Sequence, residues 1–357
     1  MADYSQVCRD VAALAGPIPP AHSVLSSAAL AATVLPLYNL RPPTDCRLLA
    51  HNLNDTYLVR TAAGPFVLRV YQAHRATGRS WRSLPEILYE VDLLRHLRAK
   101  GMRVSAPVPR RDGAYTTSLS APEGERPAVL FTYAPGAAVT PVNQDEARAR
   151  RYGQALADIH TASDDFTSPH PRFALDLAFL VEGPLRTTAP LLGQRAVDAA
   201  YLRDLAALLE ERIQTWAYLG LDVGPCHGDA HGGNAHLGDD GRLTFFDFDV
   251  CGPGWRAYDL AVFRWGVELG RVRVGRTDDE VRRLWDAFMQ GYSSRRIVGD
   301  ADLHAVPSLV AARHLWFLGV TAGNWDNWSC NEVDDTFIDR ELAFLREWVT
   351  QQIVSQG

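Results

Sequence analysis

A breaker, Ala134-Pro135-Gly136, separates two stretches of opposite texture, and that order narrows the possible folds more than any other feature of the chain. Before it, short apolar and β-branched runs read as antiparallel strands: Arg47 to Asn52, Thr56 to Thr61, Phe66 to Tyr71, Ala114 to Ser120 and Ala128 to Tyr133. One helix interrupts them, Leu84 to Lys100, with Ile87, Val91, Leu94 and Leu97 on one side and Gly101 as its stop. After the breaker the periodicity is helical: Gln144 to Thr161, Ala196 to Leu219, Tyr258 to Gly270, Asp278 to Tyr292, Ala301 to Gly319 and Glu332 to Ile353. The exception is a short β segment, Ala235 to Leu237 and Leu243 to Phe246, joined by the turn Gly238-Asp239-Asp240-Gly241. Two helical pieces, Tyr4 to Ala15 and Ser26 to Leu35, precede the strands. The expected division is a helical extension over 1–44, a strand-rich lobe over 45–133, a hinge at 134–138 and a helical lobe over 139–357.

With 357 residues the chain exceeds one ordinary core, and 47% hydrophobic against 22% charged residues sets it apart from disordered sequences. A net charge of −6 gives no electrostatic reason for nucleic acid or an anionic membrane as the main partner. Five scattered cysteines without a C-x-x-C pair argue against a disulfide framework. The first residues lack a signal peptide's basic and apolar regions, and the longest apolar stretch, near Val24 to Leu37, is too short to span a bilayer. The expectation is a cytoplasmic protein without a membrane partner.

The densest set of functional side chains is Cys226-His227-Gly228-Asp229-Ala230-His231-Gly232-Gly233-Asn234, with Asp247-Phe248-Asp249 beginning thirteen residues beyond Asn234. The hairpin between them brings the two ends together, so Asp229, Asn234 and Asp247 should surround one point. Phosphoryl transfer needs such an inventory: a carboxylate to orient an acceptor hydroxyl, and hard oxygen ligands for magnesium. Asp229 suits the first task, Asn234 and Asp247 the second. The H-x-D-x-x-x-x-N spacing followed by Asp-Phe is the arrangement of kinase-like sites.

The segments HGDAHGGN and FFDFDVCGPGWRAYDLA resemble those of the aminoglycoside phosphotransferase and choline kinase family. The resemblance implies an α+β, protein-kinase-like, two-lobed fold, with an antiparallel-sheet nucleotide-binding lobe and a mainly helical catalytic lobe. It implies an ATP-dependent kinase acting on a hydroxyl of a small molecule, GTP being the other nucleotide option, with Asp229 as catalytic base and Mg²⁺ on Asn234 and Asp247. It gives Asp259 of Tyr258-Asp259-Leu260-Ala261 the task of bracing the catalytic loop, to which His227 belongs.

Strand alternation puts Val67, Arg69 and Tyr71 on one face of Phe66 to Tyr71, and helical angles put Glu90 inside the apolar stripe of Leu84 to Lys100. Each buried charge needs a partner. Kinase-like sites pair a strand cation on the nucleotide phosphates with a helix acid, which makes Arg69 and Glu90 the candidates, although lysine is the usual residue and Lys100, the only lysine, lies elsewhere. Arg98 is an alternative partner for Glu90. The resemblance implies that the glycine-free turn from His51 to Thr56 covers the phosphates with Asn54 and Thr56, although an ordinary hairpin is the plainer reading of the turn alone; adenine should lie near Phe131 to Ala134, beside Tyr133.

The acceptor is less determined. Asp249, Trp325 and Asp334 are candidates to touch it; tryptophans among acids could hold an amine, so a cationic acceptor is one option, with amino alcohol, aminoglycoside, hydroxy amino acid and sugar all open. Core packing and a helix N-terminus are the plainer readings of Trp325 and Asp334. A nucleotide-binding pseudokinase is one rival function. A metal-dependent hydrolase using His227, Asp229, His231 and Asp247 is another, weakened because Gly232-Gly233 prevents a helical H-E-x-x-H arrangement.

Overall fold

The computed structural model describes residues 20, 22–72, 82–324 and 333–354. The expected helix Tyr4 to Ala15 lies outside them. Five antiparallel strands, β1 (Asp45–His51), β2 (Asp55–Thr61), β3 (Gly64–Val70), β4 (Thr116–Ala121) and β5 (Gly124–Thr132), form one sheet in the order β1-β2-β3-β5-β4. Alternation divides its faces. Tyr57, Val59, Leu68 and Val70 are buried beneath helix α1 (Ser27–Thr33) and Val34 to Tyr38, so the segment before β1 is part of this lobe's core. Asp55 ties it further, taking Arg126 of β5 at 2.8 Å, His51 at 2.5 Å and His22 of the leading segment.

Helix α2 (Leu84–Ala99) covers the opposite face, with Ile87, Val91, Leu94 and Leu97 against Tyr71, Val129 and Phe131. Its start is fixed by Ser83, whose N–H donates to Glu86 Oε2 at 2.7 Å. Arg69 projects from this face of the sheet and Glu90 from the inner side of α2.

The second lobe contains the remaining helices: α3 (Glu146–Ala162), α4 (Gly183–Leu192), α5 (Ala196–Tyr218), α6 (Arg256–Val274), α7 (Asp278–Ser293), α8 (Asp300–Asn324) and α9 (Asp335–Trp348). α8 is the one described helix long and apolar enough to cross a membrane, yet 89% of its apolar window is buried by the other elements. Three short pairings set the site. The strand β6 (Ala137–Ala138) pairs with β8 (Ala235–Leu237), which pairs with β9 (Leu243–Phe245). Strand β7 (Val223–Cys226) pairs with β10 (Gly252–Trp255), Cys226 opposite Gly252. Everything from His227 to Cys251 is therefore one loop closed at its base, with the β8–β9 hairpin inside it. At Gly136, with φ of 94°, a Cβ would lie 2.0 Å from the Leu237 carbonyl oxygen, so only glycine lets the chain between the lobes approach the hairpin this closely.

Candidate active site

The loop after β7 is held through its backbone. Asp259, fully buried at the start of α6, accepts the His227 N–H at 2.7 Å, the Gly228 N–H at 2.8 Å and His160 Nε2 at 2.9 Å. Since a carboxylate only accepts, His160 carries its proton on Nε2, and its Nδ1 lies 2.7 Å from the Tyr292 hydroxyl. Burial pushes the Asp259 carboxyl up, but His160 and His227 outweigh it and hold the group below the usual range. His227 bonds the Phe246 carbonyl through Nε2 at 3.0 Å and packs against Phe248, linking the loop to the far side of the hairpin. Gly228 has φ of 79°, and a Cβ there would come within 2.4 Å of the Val250 carbonyl oxygen. These contacts place His227 and Asp259 beneath the site.

Asp229 emerges from this braced turn. Its Oδ2 accepts from Asn234 Nδ2 at 3.0 Å, and its Oδ1 accepts from Arg313 Nη2 at 2.5 Å. Burial raises its pKa, but Arg313 leads the nearby charges that outweigh it, so the carboxyl stays below the ordinary range and ionised. The donor role of Asn234 leaves its amide oxygen for other use, and its backbone carbonyl accepts the N–H of Phe246, immediately before Asp247. Asp247 is the one described non-glycine residue with positive φ, 63°, a left-handed conformation that turns its carboxylate out of the β9 path. An amide oxygen and a half-exposed carboxylate at adjoining positions are the hard donors magnesium takes, so these residues fit that ion.

Arg69 joins the lobes. Nη1 donates to Glu90 Oε1 at 2.9 Å and Nη2 to Asp247 Oδ1 at 2.8 Å, while Tyr71 donates to Glu90 Oε2 at 2.9 Å. Glu90 is 1% exposed, and burial raises its pKa despite Arg69. Arg98 takes no part in this pairing.

Two cavities meet here. One, about 360 Å³, is bounded by Val67, Leu94, Phe131, Tyr133, Ala134 and Phe246; the other, about 680 Å³, runs past Asn54, Asp229 and His231 into the helical lobe. Thr56, Arg69 and Asp247 line both.

The remaining candidates are placed as follows. Asn54 does not present a free amide to the cavity: its Nδ2 donates to Asp249 Oδ2 at 3.1 Å. Asp249 is 4% exposed and also receives Arg82 Nε at 3.1 Å; a buried carboxylate demands donors, and those it has found leave it committed within the protein. Asp334 is the N-cap of α9, accepting from the Phe337 N–H at 2.8 Å, and lines neither cavity. Trp325 lies outside the described residues. Sequence reasoning missed Arg313, although a lone arginine within the apolar run of α8 carries the same signal that singled out Arg69.

With this geometry in hand, comparison with known proteins is direct. The model of a phosphotransferase enzyme family, APH, matches residues 45–297. The chain belongs to that family. An uncharacterized protein of Deinococcus radiodurans is 42% identical over 330 residues, covering 92% of each chain. A homoserine kinase of Xanthobacter autotrophicus is 29% identical over 280 residues, 77% of this chain and 78% of its own. Among solved structures, an amicoumacin kinase in complex with AMP-PNP, Ca²⁺ and Ami aligns with a TM-score of 0.71 at 21% identity, over 92% of this chain and 94% of its own, which shows the shared two-lobed kinase-like fold. The family is one of phosphotransferases, and the homoserine kinase among the relatives is a small-molecule kinase.

Proposed function

We propose that the chain transfers the γ-phosphoryl group of ATP to a hydroxyl of a small molecule. The observation that carries this reading is the junction of the two cavities at Thr56, Arg69 and Asp247, with Asp229 facing the larger one. A purine fits the apolar slot between Val67 and Phe246, which directs its phosphates toward Arg69 and the acceptor into the larger cavity. Asn234 and Asp247 would hold Mg²⁺, which when bound neutralises phosphate charge. Arg69 supplies a fixed cation to the phosphates, and Asp229, kept ionised, orients the acceptor hydroxyl and takes its proton as the new P–O bond forms, the bond from the γ-phosphorus to the β–γ bridging oxygen breaks and ADP leaves. The homoserine kinase relative makes hydroxy amino acids one acceptor class to include.

The test is an acceptor screen by mass spectrometry for a phosphate increment, with ADP release measured in parallel. Asp229→Asn should still bind nucleotide and lose transfer. Transfer that survives this substitution would overturn the assignment. One observation favours a second reading, a nucleotide-binding pseudokinase: Arg69 is already paired with Asp247. Nucleotide binding without turnover on any acceptor would select that reading, and stoichiometric zinc in the purified protein would select the hydrolase.

A further inference from the structure

The charge on the wall of the larger cavity identifies the kind of acceptor it takes. Resting on the phosphotransfer reading above, we infer that the acceptor is an alcohol carrying an oxyanion on an apolar body. Three acids line the cavity among the described residues, and each already has a task or a buried partner: Asp229, paired with Arg313 at 2.5 Å, faces the acceptor hydroxyl, Asp247, paired through one oxygen with Arg69 at 2.8 Å, would hold the divalent ion, and Asp249 is paired with Arg82 at 3.1 Å. None is left to receive an ammonium group.

The aromatic surfaces lead to the same conclusion. Trp265 and Trp316, both on the cavity wall, would be the natural box for a cation, but the Arg313 guanidinium lies 4.6 Å and 4.4 Å from their ring centres. The protein's own buried cation fills that box and repels a second one.

One cation on the cavity wall, in contrast, lacks an acid partner. Arg273, exposed in the last turn of α6, lines the cavity and enters no ion pair among the described residues. Arg276 donates through Nη2 to the carbonyls of Pro141 and Gln144, both cavity-lining residues, and its Nη1 is buried without a hydrogen-bond partner. Glu280 acts on it only from a distance, being bonded to Thr277. The C-terminal end of a helix alone would account for Arg273, but not for Arg313 covering both tryptophans. Between mouth and floor the wall is Val139, Pro141, Phe263, Phe317 and Val320, which suits an apolar body.

The test compares matched alcohols as acceptors for the full chain with ATP and Mg²⁺: para-(hydroxymethyl)benzoate, its amide, para-(hydroxymethyl)benzylamine and para-(hydroxymethyl)phenyl phosphate. A charge-assisted contact exceeds a neutral one enough to give the acid about a tenfold advantage in kcat/KM over the amide. The amine should rank below the amide, and the phosphate arm decides which oxyanion is preferred. In Arg273→Gln with Arg276→Gln the acid-to-amide ratio should fall toward unity. Preference for the amine, or a ratio unchanged in the doubly substituted protein, overturns the inference. If no member of the series is phosphorylated, calorimetry with Mg²⁺ and AMP-PNP separates the two readings. Binding of the benzoate but not the benzylamine retains the oxyanion site and leaves the kinase assignment to the wider acceptor screen; binding of the amine, or of neither, removes the oxyanion site.

Discussion

Arg69 Nη2 lies 2.8 Å from Asp247 Oδ1, so the strand cation and the acid after the hairpin form an ion pair across the cleft. Arginine can do this while holding Glu90 because its planar fork presents several donors at once; a lysine ammonium at the same position is a single point on a shorter reach. Arg69→Lys should therefore keep Glu90 and release Asp247 for a divalent ion. The Asp247 side chain is 45% exposed, which limits such a pair to about 0.5–1 kcal/mol. The Mg²⁺ concentration for half-maximal transfer should fall about two- to fivefold. A magnesium titration at saturating nucleotide checks this, and a higher requirement in the variant would sink it.

Arg313 sets the state of Asp229. Burial alone would raise the Asp229 pKa, and Arg313 is the foremost charge opposing it. Removing that cation in Arg313→Met leaves burial less opposed, so the acid limb of the kcat–pH profile should move to higher pH. Arg313→Lys should restore part of the shift, which separates charge from packing. An acid limb that stays in place in Arg313→Met counts against control of Asp229 by this residue.

The site's legibility followed the density of local signals. Asp229, Asn234 and Asp247 stand in a motif with fixed spacing, and Arg69 and Glu90 are charges on otherwise apolar faces; both kinds of signal can be read from one dimension. The five strands and α2 were visible for the same reason, through alternation and helical period. The strands Val223–Cys226 and Gly252–Trp255 were not, since VGPC and GPGW carry turn residues and exist as strands only because they pair with each other. The helix Gly183–Leu192 was hidden by Gly183, Pro184 and Pro190, which break the local pattern that tertiary packing restores. Arg313 and Arg82 reach the site from distant elements, and Asp249 looked available because the donors that satisfy it come from elsewhere in the chain.

Asp259 tests the bracing of the loop. Asp259→Asn keeps the shape but can place an NH₂ against one of the backbone N–H groups of His227 or Gly228, leaving buried donors facing each other. The loss of stability should be about 3 kcal/mol, from breaking a buried, charge-assisted cluster. Because the turn that carries Asp229 loosens, kcat should fall by about two orders of magnitude with KM for nucleotide little changed. Thermal unfolding combined with steady-state kinetics reads both, and an unaltered kcat in a folded variant would remove Asp259 from the positioning of the loop.

The same cluster sets a pH dependence through His160. Burial, opposed by Asp259, lowers the His160 pKa below its ordinary value, and its bonds to Asp259 and Tyr292 fit the neutral ring. A histidine whose folded pKa is depressed binds fewer protons folded than unfolded, so stability rises with pH through that interval. The contribution is complete above the unfolded value of about 6.5 and is lost as pH falls from there toward the folded value. Thermal unfolding midpoints should therefore decline between neutral pH and about pH 5, before carboxylate titration dominates. His160→Gln, which retains an N–H donor toward Asp259 without a titrating ring, should flatten that decline; a slope as steep as in the parent protein would assign the pH dependence to other groups.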